Sequence, residues 1–204
     1  MCMARKKKNQ LKMPAIIVGF LLILVGFVFS LISLSDPVNN NSPLVHQEDE
    51  DMTKQEFIDR LRPHAEELQE GYGILPSIII SQAALESNWG KSQLAHEYNN
   101  LFGIKAYGNQ DKVNLETKEY VNEQWITIEG DFRVYHSWED SMDDHTMLFV
   151  NGVDWNPQKY EAVLTAQNYQ EAAEALQEDG YATDPGYADK VIEVIETYQL
   201  DQYD

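Results

Sequence analysis

The sequence predicts an α+β fold: a mainly helical domain with a small antiparallel β-insertion, preceded by one membrane-spanning helix. Three observations predict it. Residues 53–98 and 137–198 repeat apolar side chains at helical spacing. Residues 113–135 switch to β-branched and aromatic residues between turn signals. Residues 13–35 carry no charged side chain.

The first element is that uncharged run. Residues 14–35 number 22, roughly 33 Å as a helix, enough to cross the apolar core of a bilayer. Arg5, Lys6, Lys7, Lys8 and Lys12 precede it and Asp36 follows, so residues 1–13 should stay in the cytoplasm and the rest should lie outside. A cleaved secretory signal is the alternative, with Ser33-Leu-Ser35 as its site. The apolar run exceeds the usual length of such a signal, which favours an uncleaved anchor. Residues 36–51, rich in Asn, Pro, Asp and Glu, read as a flexible linker, leaving residues 52–204 as the soluble domain.

Charge divides at the same place. Beyond residue 41 the chain holds 10 Lys/Arg against 33 Asp/Glu, a net charge of −23. Such a surface repels polyphosphate, which excludes nucleic acid as a natural partner but not a neutral sugar. The single cysteine, Cys2, falls on the cytoplasmic side, so no disulfide can brace the outer domain. About 150 residues bury enough surface without one.

Within the domain, Thr53 with Glu56 forms a capping box for a helix carrying Phe57, Ile58, Leu61 and His64 on one side. Pro76 opens a second helix, on which Leu75, Ile79, Ala83 and Glu86 share one face. Nearly every other residue there is apolar or small, so the helix should be buried. A lone carboxylate in that setting is either paired or has its pKa raised until it stays protonated. A short helix is expected over Lys91–Tyr98. Thr117–Val121, Trp125–Glu129 and Phe132–Tyr135, separated by Asn122-Glu-Gln and Gly130-Asp, read as a three-stranded meander. Helices resume over Ser137–Val150, Pro157–Thr165, Asn168–Glu178 and Gly186–Tyr198.

Five blocks in order carry a resemblance. They are Ser81-Gln-Ala-Ala-Leu-Glu86-Ser-Asn-Trp-Gly-Lys-Ser92, Asn99-Asn-Leu-Phe-Gly-Ile-Lys105, Thr117-Lys-Glu119-Tyr-Val, Phe132-Arg-Val-Tyr-His-Ser137 and Tyr181-Ala-Thr-Asp-Pro185. Together they make residues 52–200 resemble the glucosaminidase family of peptidoglycan hydrolases, endo-β-N-acetylglucosaminidases with a lysozyme-like helical lobe and a small β-lobe. The resemblance implies cleavage of the β-1,4 bond between N-acetylglucosamine and N-acetylmuramic acid in cell-wall glycan strands, without a cofactor.

Glycoside hydrolysis needs an acid to protonate the departing oxygen and a second group at the oxocarbenium-like centre. Glu86 is the candidate acid. The resemblance implies Glu119 as the second carboxylate, which shares a strand face with Thr117. Glu116 and Glu123 are its nearest competitors, and a solvated strand residue is the plain alternative. Glu119 could activate water, giving inversion, or orient a substrate whose acetamide attacks, giving retention. The resemblance also brings Tyr181 to the reacting centre and implies substrate contacts for Asn100, Phe102, Trp89 and Tyr120. For Phe102 and Trp89 simple packing competes with sugar stacking.

No metal-ligand spacing occurs around His136, Asp143, Asp144 or His145, and His145 reads as a packing residue. Two other readings keep the fold. A lytic transglycosylase would use a single catalytic Glu, and a non-catalytic wall-binding protein would use neither.

Overall fold

A computed structural model describes residues 52–121 and 124–204, and side chains outside positions 118–126. The basic segment 1–13, the anchor expected at 14–35 and the linker 36–51 lie outside the described residues. Among those described, no helix is long and apolar enough to cross a membrane.

Seven helices and one β-hairpin make up the described domain. Helix α1, Lys54–Tyr72, starts at the expected capping box: Thr53 Oγ1 accepts from Glu56 N–H and the Glu56 carboxylate accepts from Thr53 N–H. Gly73, at φ 85°, ends it in the left-handed conformation that glycine adopts without strain. Helix α2, Pro76–Ser87, lies at the centre, against α1, α6 (Tyr169–Glu178), α7 (Tyr187–Tyr198) and a closing 3₁₀ turn, Leu200–Tyr203. Every residue from Pro76 to Ala84 is buried, so the helix is enclosed on all sides rather than along one stripe. Its N-cap, Leu75, offers no side-chain acceptor. Asp204 supplies one from the other end of the domain, accepting from Ser77 N–H at 2.9 Å and from Ser77 Oγ at 2.7 Å.

The core gathers on this helix: Phe57, Ile58 and Leu61 from α1, Ile78–Ile80 from α2, and Val191 and Ile195 from α7 are all inaccessible to solvent. Helix α3, Gln93–Tyr98, is capped by Ser92, and α4, Trp138–Asn151, by Ser137. Helix α5 covers only Glu161–Thr165, because the expected first turn from Pro157 is irregular.

The expected three-stranded meander is instead a two-stranded ribbon. Strand β1, Lys112–Val121, pairs antiparallel with β2, Gln124–Arg133, in unbroken register from Lys112↔Arg133 to Val121↔Gln124. Gly130-Asp131, read from sequence as a turn, lies within β2 opposite Leu115 and Asn114. Glycine serves close approach there: a Cβ on Gly130 would stand 2.5 Å from the Lys105 ammonium, which lies over the Phe132 ring. The ribbon is rooted at its base, where Arg133 N–H donates to Ile104 O and Ala106 N–H to Asp131 O, both at 2.9 Å. Arg133 also pairs with Asp144 on α4 at 2.6 Å.

Candidate active site

Helix α2 carries Glu86 in its last turn and then stops sharply. Asn88, Trp89 and Gly90 follow with φ of 52°, 60° and 77°. Asparagine and glycine tolerate this left-handed region, whereas a bulky residue such as tryptophan enters it only when its surroundings hold it. Trp89 is held by Phe57 and Tyr198, whose ring centroids lie 5.8 and 4.6 Å from its own, and by the Lys54 ammonium. Gly90 is enforced by space, since a Cβ would stand 2.6 Å from the Trp138 ring. Ser87 locks the turn, donating to Ala83 O and accepting from Gly90 N–H. The helix therefore ends one residue beyond Glu86 and leaves that side chain at the edge of the core.

Glu86 is half-buried, and its carboxyl is pushed up to about 8. Burial is the larger cause, because it disfavours the charged form. A hydrogen bond from Tyr187 Oη to Glu86 Oε1, 2.9 Å long, works in the opposite direction. Tyr187 in turn accepts from Gln82 Nε2 at 3.1 Å. Gln82 sits one helical turn before Glu86, and Tyr187 opens α7 behind the Asp184-Pro-Gly turn. Asp184 accepts from Gly186 N–H there and pairs with Lys190, while Gln177 of α6 accepts from Ala188 N–H. The phenol is thus fixed from both sides.

Tyr181 stands behind Tyr187, with ring centroids 5.6 Å apart. It is buried, and its hydroxyl lies 3.0 Å from His145 Nε2 rather than on the acid. Burial first, then the nearby Glu86 carboxyl, holds its phenol well above the usual range, so it remains protonated. His145 is fully buried and stacks on Phe102 at 3.8 Å. Burial lowers its pKa to about 3, which makes it a neutral packing imidazole, as its sequence setting suggests. Phe102, His145, Tyr181 and Tyr187 form one aromatic wall behind Glu86.

The expected substrate contacts separate into distinct roles. Phe102 is inaccessible to solvent and backs the wall instead of facing a sugar. Asn100 is 1% exposed, with both amide ends engaged by backbone. It donates to Ile104 O and Arg133 O and accepts from Ile104 N–H, tying the loop after α3 to the root of the ribbon. Trp89 packs between α1 and α7. Phe102 and Asn100 are thus closed to solvent, whereas Trp89 stays partly exposed. Glu119 and Tyr120 pair with Ile126 and Trp125 in the distal half of the ribbon, and their side chains lie outside those described. Tyr187 and Gln82, which touch the acid or its partner, are not singled out by the sequence reading. The four-residue spacing of Gln82 from Glu86 is the one signal for them. Among the described residues no cluster of His, Cys, Asp and Glu is arranged to hold a metal ion.

The arrangement is suited to giving up a proton: one carboxyl, protonated near neutrality, set against a wall of neutral hydrogen-bonding groups. Comparison with known proteins supplies the family. Residues 62–200 match the model of the glucosaminidase family, described as mannosyl-glycoprotein endo-beta-N-acetylglucosaminidase. The exo-glucosaminidase LytG of Bacillus subtilis strain 168 is 46% identical over 203 residues, covering 99% of this chain and 70% of that protein. The peptidoglycan hydrolase FlgJ of Escherichia coli K12 is 38% identical over 146 residues, which cover 69% of this chain and less than half, 45%, of that protein. The crystal structure of the catalytic domain of the autolysin Auto from Listeria monocytogenes superposes with a TM-score of 0.69 at 39% identity, covering 74% of this chain and 87% of that one. The chain belongs to the glucosaminidase family and is a glycoside hydrolase.

Proposed function

We propose that the protein hydrolyses peptidoglycan as an endo-β-N-acetylglucosaminidase, cutting the β-1,4 bond between N-acetylglucosamine and N-acetylmuramic acid and leaving a reducing N-acetylglucosamine. The observation that carries this reading is Glu86: a carboxyl raised to about 8 at the edge of the core, oriented by Tyr187. Protonated at neutral pH, it delivers its proton to the bridging oxygen as the glycosidic bond lengthens. The Tyr187 hydroxyl then stabilises the carboxylate that remains, an interaction that strengthens as negative charge develops. Glu119 on β1 is the second carboxylate in this reading, opposing the positive charge at the anomeric carbon or activating water. Tyr181, its hydroxyl held by His145, supports Tyr187 from behind.

The N-terminal run 14–35 anchors the enzyme in the cell membrane, with the domain held outside by the linker 36–51 and close to newly made glycan. A mature protein released into the medium with its first residue near Asp36 would overturn the anchor. One specific observation favours a second reading of the cleavage mode, since the Bacillus subtilis relative is named as an exo-acting enzyme.

Digestion of purified peptidoglycan by the full chain in detergent tests the whole proposal through mass and reducing-end analysis. The expected products end in reducing N-acetylglucosamine, with internal cuts shortening strands early in the reaction. Anhydro-muramic ends would identify a transglycosylase instead, and stepwise release from strand ends would identify the exo mode. Glu86→Gln should lower turnover at least about 100-fold.

A further inference from the structure

We infer that Gln82 is a positioning residue for the acid: its amide fixes the direction of the Tyr187 hydrogen bond and thereby which oxygen of Glu86 carries the transferable proton. The inference rests on the reading of Glu86 as general acid and specifies how that acid is aimed.

Among the described residues Tyr187 Oη has two hydrogen-bond partners, Gln82 Nε2 at 3.1 Å and Glu86 Oε1 at 2.9 Å. An amide nitrogen donates and does not accept. The hydroxyl therefore accepts from Gln82, and its single hydrogen is committed to Oε1. The carbonyl oxygen of a carboxylic acid is its stronger acceptor, so the hydrogen bond into Oε1 makes that the carbonyl end and leaves the acid proton on Oε2. With the opposite polarity Tyr187 would donate toward residue 82, and neutral Glu86 would donate from Oε1 into the phenol. The proton would then point into the protein instead of toward the glycosidic oxygen. Burial makes the choice consequential. Gln82 is inaccessible to solvent and Tyr187 is 2% exposed, which leaves bulk water little access to either group. Among the described residues Gln82 Oε1 has no donor within reach, so the amide serves this chain through its nitrogen alone.

Position also argues for a built arrangement. Gln82 and Glu86 are one turn apart on the same buried helix, and Tyr187 comes from an element 105 residues away from Gln82. The three groups meet because α7, which packs on α2, begins with Tyr187, and Asp184 and Gln177 fix the backbone on either side of it by accepting from Gly186 N–H and Ala188 N–H.

Steady-state hydrolysis of peptidoglycan across pH, using the full chain and its Gln82→Met, Gln82→Glu, Tyr187→Phe, Gln82→Met/Tyr187→Phe and Glu86→Gln variants, tests the inference. Gln82→Met should lower kcat roughly tenfold with KM unchanged. Tyr187→Phe should lose a comparable factor, and the double variant little more, because both changes break one chain. Gln82→Glu has its own signature. The carboxyl it introduces can only accept when ionised, which reverses the polarity, whereas the protonated form can donate. Burial keeps that carboxyl protonated around neutrality, as it keeps Glu86, so the kcat of this variant should stay above that of Gln82→Met at neutral and acidic pH and fall towards it as pH rises. Independent, multiplicative losses in the double variant would overturn the inference. So would Gln82→Met and Gln82→Glu profiles that run parallel at every pH, since simple packing damage has no titration. Near-normal turnover by Glu86→Gln would instead remove the acid itself and the inference with it.

Discussion

Glu86, half-buried on α2, and His145, buried on α4, show how two titratable groups can push stability in opposite directions. The carboxyl of Glu86 titrates at about 8 in the folded protein against 4.5 for an ordinary glutamate. The folded state therefore keeps a proton that the unfolded chain has released, and stability falls as pH rises through that window. His145 titrates at about 3 against 6.5, so its contribution is complete above 6.5 and is lost as pH falls toward 3. Between them lies a broad optimum on the acid side of neutrality. The prediction is that Glu86→Gln, which removes the ionisation but keeps the shape, unfolds at a higher temperature than the parent at pH 7 to 8. The difference should vanish below about pH 4.5. Thermal unfolding from pH 4 to 9 measures it, and a variant never more stable than the parent would show that the carboxyl is not strained by burial. Stability gained where activity is lost is the expected mark of a group kept for chemistry.

Elements divide into those readable from local sequence and those that are not. The start of helix α1 is legible to the residue because its capping box lies within four positions. Helix α2 is legible because Pro76 begins it and an apolar run fills it. The strand count of the ribbon goes astray at Gly130, where a residue type that usually marks a turn instead makes room for Lys105. Tyr187 stays hidden for a different reason: its partners are 101 and 105 residues away, and no periodicity encodes such a meeting. Asn100 stands out through its motif, and the structure gives it a bracing task. Its three hydrogen bonds to Ile104 and Arg133 fasten the loop after α3 to the base of β2. Asn100→Ala leaves two carbonyls and one N–H without that partner and should cost about 2–4 kcal/mol of stability in chemical denaturation. KM for glycan should change little at a temperature where the variant stays folded. A large rise in KM at unchanged stability would return Asn100 to the substrate-binding surface.

At the scale of the whole molecule the dominant quantity is charge. Beyond residue 41 the chain carries a net −23, and the proposed substrate is decorated with peptide carboxylates. Enzyme and wall therefore repel at long range, and nothing in that field helps the domain find its glycan. The proposed anchor answers this by replacing diffusion with a fixed, high local concentration at the membrane surface, where new strands emerge. A consequence follows for the enzyme freed from that geometry in detergent. Raising the ionic strength from about 10 to about 150 mM shortens the screening length from roughly 30 to roughly 8 Å, so the repulsion fades while the uncharged chemistry at Glu86 is barely touched. Hydrolysis of purified walls should accelerate severalfold in kcat/KM over that range, chiefly through KM, and hydrolysis of a neutral N-acetylglucosamine oligosaccharide should not. Paired rate measurements on the two substrates decide the matter. If wall hydrolysis slows with salt instead, local cationic side chains govern docking against the sign of the whole.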